Sequence, residues 1–110
     1  MNNTKIMYLR DASRRPFGCL AMKVDKKTNV VAYQFSVVHP KDTFDKQLAK
    51  TIATGRLDTG PLEVIFTGES THDIVKAVMN DMLETHMEPP VPQKAKKFAK
   101  QWVDGNKSDF

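Results

Sequence analysis

Val30-Val31-Ala32-Tyr33-Gln34-Phe35-Ser36-Val37-Val38, then His39-Pro40-Lys41, then Asp42 to Leu57, is the stretch whose reading decides the fold. Val31, Tyr33, Phe35 and Val37 alternate with Ala32, Gln34 and Ser36. A period of two built from β-branched and aromatic residues is the mark of a half-buried strand. Pro40 has no N–H and forces His39 into an extended conformation, so the strand ends there. Asp42 can cap a helix running to Thr54. Phe44, Leu48 and Ile52 recur at every fourth position beside Ala49 and Ala53, which gives that helix an apolar stripe. Gly55 is the natural stop. A strand feeding straight into an amphipathic helix predicts that the helix folds back onto a sheet.

Working outward, Lys5–Arg10 reads as a short first strand and Asp11-Ala12-Ser13-Arg14-Arg15-Pro16 as a basic loop. Phe17–Asp25 reads as a second strand, with Leu20, Met22 and Val24 on one face and Phe17, Cys19 and Ala21 on the other. Both faces are apolar, which predicts a central position in the sheet. Asp25-Lys26-Lys27-Thr28-Asn29 is a hairpin loop into the Val30 strand. Beyond Gly60-Pro61, Leu62–Thr67 reads as a fourth strand. Ser70 and Asp73 form a weak capping box for a second helix striped by Val75, Val78, Met79, Met82 and Leu83. The methionines suit core packing. Pro89, Pro90 and Pro92 end that helix, and His86 suits its C-terminal dipole. Gln93–Val103 is a third helix, with Ala95, Phe98, Ala99 and Trp102 on one face and lysines on the others. The expected class is therefore α+β: three antiparallel strands, a helix, a fourth strand, a helix and a C-terminal helix, with no clear fifth strand.

The chain has 110 residues, which predicts one domain over residues 1–104 and a disordered tail over 105–110. The single Cys19 excludes an internal disulfide and suits a buried position in a reducing compartment. No stretch reads as a signal peptide or a membrane span, so a cytoplasmic location is expected. The net charge is +4 but it is segmented: +7 over Met1–Leu57, −6 over Asp58–Glu88 and +3 over Pro89–Phe110. Basic segments attract phosphate backbones. Equally, opposite segments can neutralise each other within one fold or between two copies.

The order of elements resembles the ribonuclease H-like fold, in which three antiparallel strands are followed by a helix and a parallel strand. Tyr8-Leu9-Arg10-Asp11-Ala12-Ser13 resembles that family's first strand. The Gly18 strand resembles its glycine-bearing second strand. Gln47-Leu48-Ala49-Lys50-Thr51-Ile52 resembles its first-helix motif, and Val64-Ile65-Phe66-Thr67-Gly68-Glu69-Ser70 its fourth strand. The family's carboxylates hold two Mg²⁺ ions for phosphodiester hydrolysis. Here Gln47 stands at the helix glutamate and Gly68 at the fourth-strand aspartate, and Asp11 is offset by one residue. A displaced site would need Asp11, Asp45 and Glu69 together. A short basic chain without a full site also resembles tailed-phage accessory proteins.

No cysteine–histidine spacing fits zinc, and His39, His72 and His86 are scattered. The residues therefore assign no catalytic group, no metal and no other cofactor. The leading expectation is a non-catalytic protein that binds DNA or RNA through phosphates. The contacts would come from Arg10, Arg14 and Arg15 in the loop, Lys26 and Lys27 in the hairpin, Lys41, Lys46, Lys50 and Arg56 on the first helix, and Lys94 and Lys97 on the third. The alternatives are a protein-interaction module, acting on a host protein or associating with itself, and a divergent Mg²⁺-dependent nuclease.

Overall fold

The computed structural model describes residues 4–11, 13–38, 42–84 and 93–108. The expected sites and turns at His39, Pro40, Lys41, His86 and the 89–92 prolines lie outside them. The class is α+β as the periodicities predict. Strands β1 (Thr4–Arg10), β2 (Pro16–Asp25) and β3 (Val30–Val37) are followed by α1 (Lys46–Thr59). Strand β4 (Leu62–Ile65), α2 (Thr71–Glu84) and α3 (Gln93–Ser108) complete the chain. The sheet order is β1-β2-β3-β4, and every neighbouring pair is antiparallel.

That order corrects one expectation. The ribonuclease H-like resemblance implies a parallel fourth strand, whereas β4 lies antiparallel beside β3, with Tyr33 opposite Leu62 and Val30 opposite Ile65. The reason is where α1 stops. It starts level with Ser36, whose hydroxyl donates to the Ala49 carbonyl at 2.9 Å. It ends level with Gln34, whose side-chain amide donates to the Gly60 carbonyl at 2.8 Å. The chain is then only partway down β3, and it continues in the same direction as β4.

The sheet separates two unequal layers. On one face, α2 and α3 pack over Leu9, Leu20, Met22, Val31, Tyr33 and Phe35. Met79 and Met82 fill this core and are fully buried. On the other face α1 sits on Cys19 and Ala21 through Ala49, Ala53 and Leu57. The expected stripe is thus corrected: Leu48 is 57% and Ile52 38% exposed, and the small residues one position on face the sheet. Small partners on β2 leave a seat that suits the small Ala49 and Ala53, while Leu57 is buried at the end of the helix. The cap moves accordingly. Asp45, not Asp42, accepts the Leu48 N–H at 3.0 Å, and the helix passes through Gly55 to a cap at Gly60.

Two further details differ from the sequence reading. A register shift between Leu9 and Arg10 turns Phe17 into the α2/α3 core, away from Cys19 and Ala21. Helix α3 continues past Val103 through Gly105 to Ser108, since one interior glycine costs only about 1 kcal/mol. Other features follow the sequence closely. Ser70 and Asp73 form the reciprocal box, with the Asp73 N–H donating to the Ser70 hydroxyl at 3.1 Å and the Ser70 N–H donating to the Asp73 carboxylate at 3.3 Å. Gly18 is obligatory, because a Cβ there would stand 2.6 Å from the Ser36 carbonyl oxygen of the paired strand.

Candidate nucleic-acid interface

The end of β1, the start of β2 and the first turns of α1 and α3 meet at one end of the sheet. The β1–β2 loop there is held by its own aspartate. One carboxylate oxygen of Asp11 accepts the N–H groups of Ser13 at 2.8 Å and Arg15 at 3.0 Å. The backbone closes on itself through Arg14 N–H to the Asp11 carbonyl and Asp11 N–H to the Arg15 carbonyl. Arg14 accordingly takes a positive φ of 65°, a conformation that costs a non-glycine residue about 1 kcal/mol or more. The Arg10 guanidinium donates to the Arg14 carbonyl at 3.0 Å. The loop is thus a built turn that leaves Arg14 and Arg15 exposed.

Beside it, the Lys94 ammonium lies over the Phe17 ring at 5.1 Å, and Phe17 meets Phe98 edge-on at 6.4 Å. Arg10, Asp11, Ser13, Phe17, Lys94, Lys97, Phe98 and Gln101 line a groove of about 240 Å³, three cations against the one carboxylate that the loop's own N–H groups hold. Across the β1 edge, the Lys46 ammonium lies over the Tyr8 ring at 5.2 Å, and Tyr8 meets Phe44 edge-on. A cation over an aromatic face is attracted by the ring's quadrupole, by about 0.5–1 kcal/mol at an exposed site. Lys50 follows Lys46 one turn later on α1 and is exposed.

Other candidates lie elsewhere. Lys26 and Lys27 occupy the β2–β3 turn at the far end of β2, roughly 30 Å away at about 3.3 Å per residue. Lys26 shares a hollow there with Lys5, Glu69 and Thr71. Arg56 is exposed on α1 but reaches the sheet, its guanidinium donating to the Phe35 carbonyl at 2.9 Å. Two lysines outside the expected set join the basic end: Lys96 and Lys100 flank Leu83 in a hollow on α3 together with Lys94 and Lys97. The signal for them is the lysine spacing of the helix itself.

The three carboxylates of a displaced metal site are apart. Asp11 and Asp45 are each committed to backbone N–H groups, and Glu69 lies at the opposite end of the sheet. Among the described residues, no three His, Cys, Asp or Glu side chains stand close enough to share an ion. His72-Asp73 serves packing and capping. The imidazole stacks on Trp102 at 5.1 Å, and hydrogen bonds from Ser70 hold the Asp73 carboxyl below its ordinary range. Burial pushes the Cys19 thiol up, against the opposing charge of Lys50. No helix among the described residues is long and apolar enough to cross a membrane.

The chain matches no protein-family model, no curated protein and no solved structure. Its function is therefore read from the geometry.

Proposed function

We propose that this protein binds nucleic acid through phosphate contacts at the basic end of its sheet, without cutting it. The observation that carries this reading is the convergence of Arg10, Lys94 and Lys97 on one groove floored by Phe17 and Phe98. The exposed Arg14 and Arg15 follow Arg10 in the adjoining loop, and Lys46 lies over Tyr8 on the other face of the same sheet end. Guanidinium and ammonium groups supply sequence-independent affinity for a phosphate backbone.

Fluorescence anisotropy of the pure protein with labelled single- and double-stranded DNA and RNA, at low and at moderate salt, tests it. Affinity should fall steeply with salt. Lys94→Glu with Lys97→Glu should weaken binding at least about tenfold and lower the salt slope by roughly two, near one unit per lost phosphate contact. Lys26→Glu with Lys27→Glu, at the far end, should change binding much less. Absent binding at low salt, or equal losses at both ends, would reject the site.

A second reading, a protein-interaction module, is favoured by Leu48, Ile52 and Ile65, large apolar side chains that stand exposed. A protein partner retained after nuclease treatment would favour it over the first.

A further inference from the structure

Strands β1 and β4 are the two edges of the sheet, and they differ in charge and in cover. Beside the open edge of β4 runs one face of α2, carrying Asp73, Lys76, Ala77, Asn80, Asp81 and Glu84. With Val64, Ile65, Phe66 and Thr67 it encloses a groove of about 380 Å³. Three acids face one lysine there. Asp81 is fixed in place by the Tyr33 hydroxyl, which donates to it at 2.5 Å. On the opposite face of β4, Ile65 is 73% exposed. The β1 edge is the reverse: Lys5 and Arg10 lie on the strand, Lys46 over Tyr8, and Lys94 and Lys97 beside its end.

Direction and side agree as well. Because each strand is antiparallel to the next, β1 runs opposite to β4. A second copy shifted along the sheet in the same orientation, and slid about four residues (roughly 13 Å) along the strands so that Ile6 comes level with Ile65, therefore offers its β1 to β4 as one more antiparallel strand. Ile6 and Tyr8 of that copy share the α1 side of the sheet with Ile65, and Lys5 shares the α2 side with the acidic groove. Symmetric pairings are disfavoured: β4 against β4 brings two acidic flanks together, and β1 against β1 two basic ones.

We infer that the β4 edge is a docking site for the β1 edge of a second copy of this chain, adding strands head to tail. Such an interface does not close on itself and continues from copy to copy. This inference does not rest on the nucleic-acid reading, although both draw on Arg10, Lys46, Lys94 and Lys97.

Sedimentation of nuclease-treated, nucleic-acid-free protein over a wide concentration range, at low and high salt, tests it. The mean mass should rise from that of the 12.5 kDa chain past two copies without a plateau, and should fall with salt. Ile65→Lys, at an exposed position, should weaken association by about tenfold or more. Lys5→Glu should weaken it from the other edge. Mixed together, these two variants should recover a two-chain species, since each keeps one intact edge and the pair forms a single junction. A mass that never leaves one chain overturns the inference and leaves the groove to an extended segment of another protein. Growth that stops at two copies in the unsubstituted chain overturns it in favour of a symmetric pairing, and an Ile65→Lys chain that assembles fully overturns it outright. Anisotropy with the Ile65→Lys chain reports nucleic-acid binding separately, so each reading can fail alone.

Discussion

The two faces of the sheet are held by different means. The α2/α3 face is a thick layer of large side chains, with Leu9, Leu20, Tyr33, Met79 and Met82 fully buried. The α1 face is thin, made of Cys19, Ala21, Ala49, Ala53 and Leu57. It is stitched by polar contacts: Ser36 to Ala49, Gln34 to Gly60, Arg56 to Phe35, and the ion pair of Lys23 with Asp58 at 2.8 Å. An exposed ion pair of this kind adds at most about 1 kcal/mol. One helix is thus attached chiefly by fit and direction, and the other two by the area they remove from water.

Truncation on the thick side should show this most strongly. Leu20→Ala opens a cavity in the larger core and should cost about 3 kcal/mol, lowering the Tm by roughly 12–20 °C in a thermal melt. If the loss were under about 1 kcal/mol, the two layers would not be unequal. The thin side should respond to the opposite change. Ala53→Leu forces a larger group into the seat between α1 and β2 and should cost about 2 kcal/mol in urea unfolding, whereas filling an empty space would stabilise. A smaller effect should appear with pH on the thick side. The folded pKa of Asp73 is depressed below its ordinary value of 3.8. The stability it confers is therefore complete above that value and is lost as pH falls through the lower folded value. Asp73→Asn should flatten this acid limb in urea titrations between about pH 5 and pH 2.

What the sequence made legible were the features that depend on neighbours along the chain. The alternation in Val30–Val37, the Asp25–Asn29 turn and the Ser70–Asp73 box need only local geometry, and each stands where the residues put it. What escaped was set at a distance. Leu48 and Ile52 outweigh Ala49 and Ala53 in any count of apolar mass, but Cys19 and Ala21 suit the smaller pair. Asp42 and Asp45 are both competent caps, and the seat of α1 on the sheet selects the second. The direction of β4 depends on where α1 stops, which no residue within β4 encodes. At the candidate site, Arg10 and Lys94 were both visible as cations. Their meeting across the Phe17 ring was not, because it requires α3 to return to the β1–β2 loop. The same long-range geometry puts Lys26 and Lys27 at the other end.

The lysines that lie over rings carry a consequence for any ligand that meets them. A lysine side chain pinned from full freedom forfeits roughly 1.5–2 kcal/mol of rotamer entropy. Lys46 stands above Tyr8 and Lys94 above Phe17, contacts worth about 0.5–1 kcal/mol each at exposed sites. If the proposed phosphate contacts form, these ring contacts offset part of that ordering cost beforehand, and the two ammonium groups would serve as preset anchors for the loop arginines to adjust around.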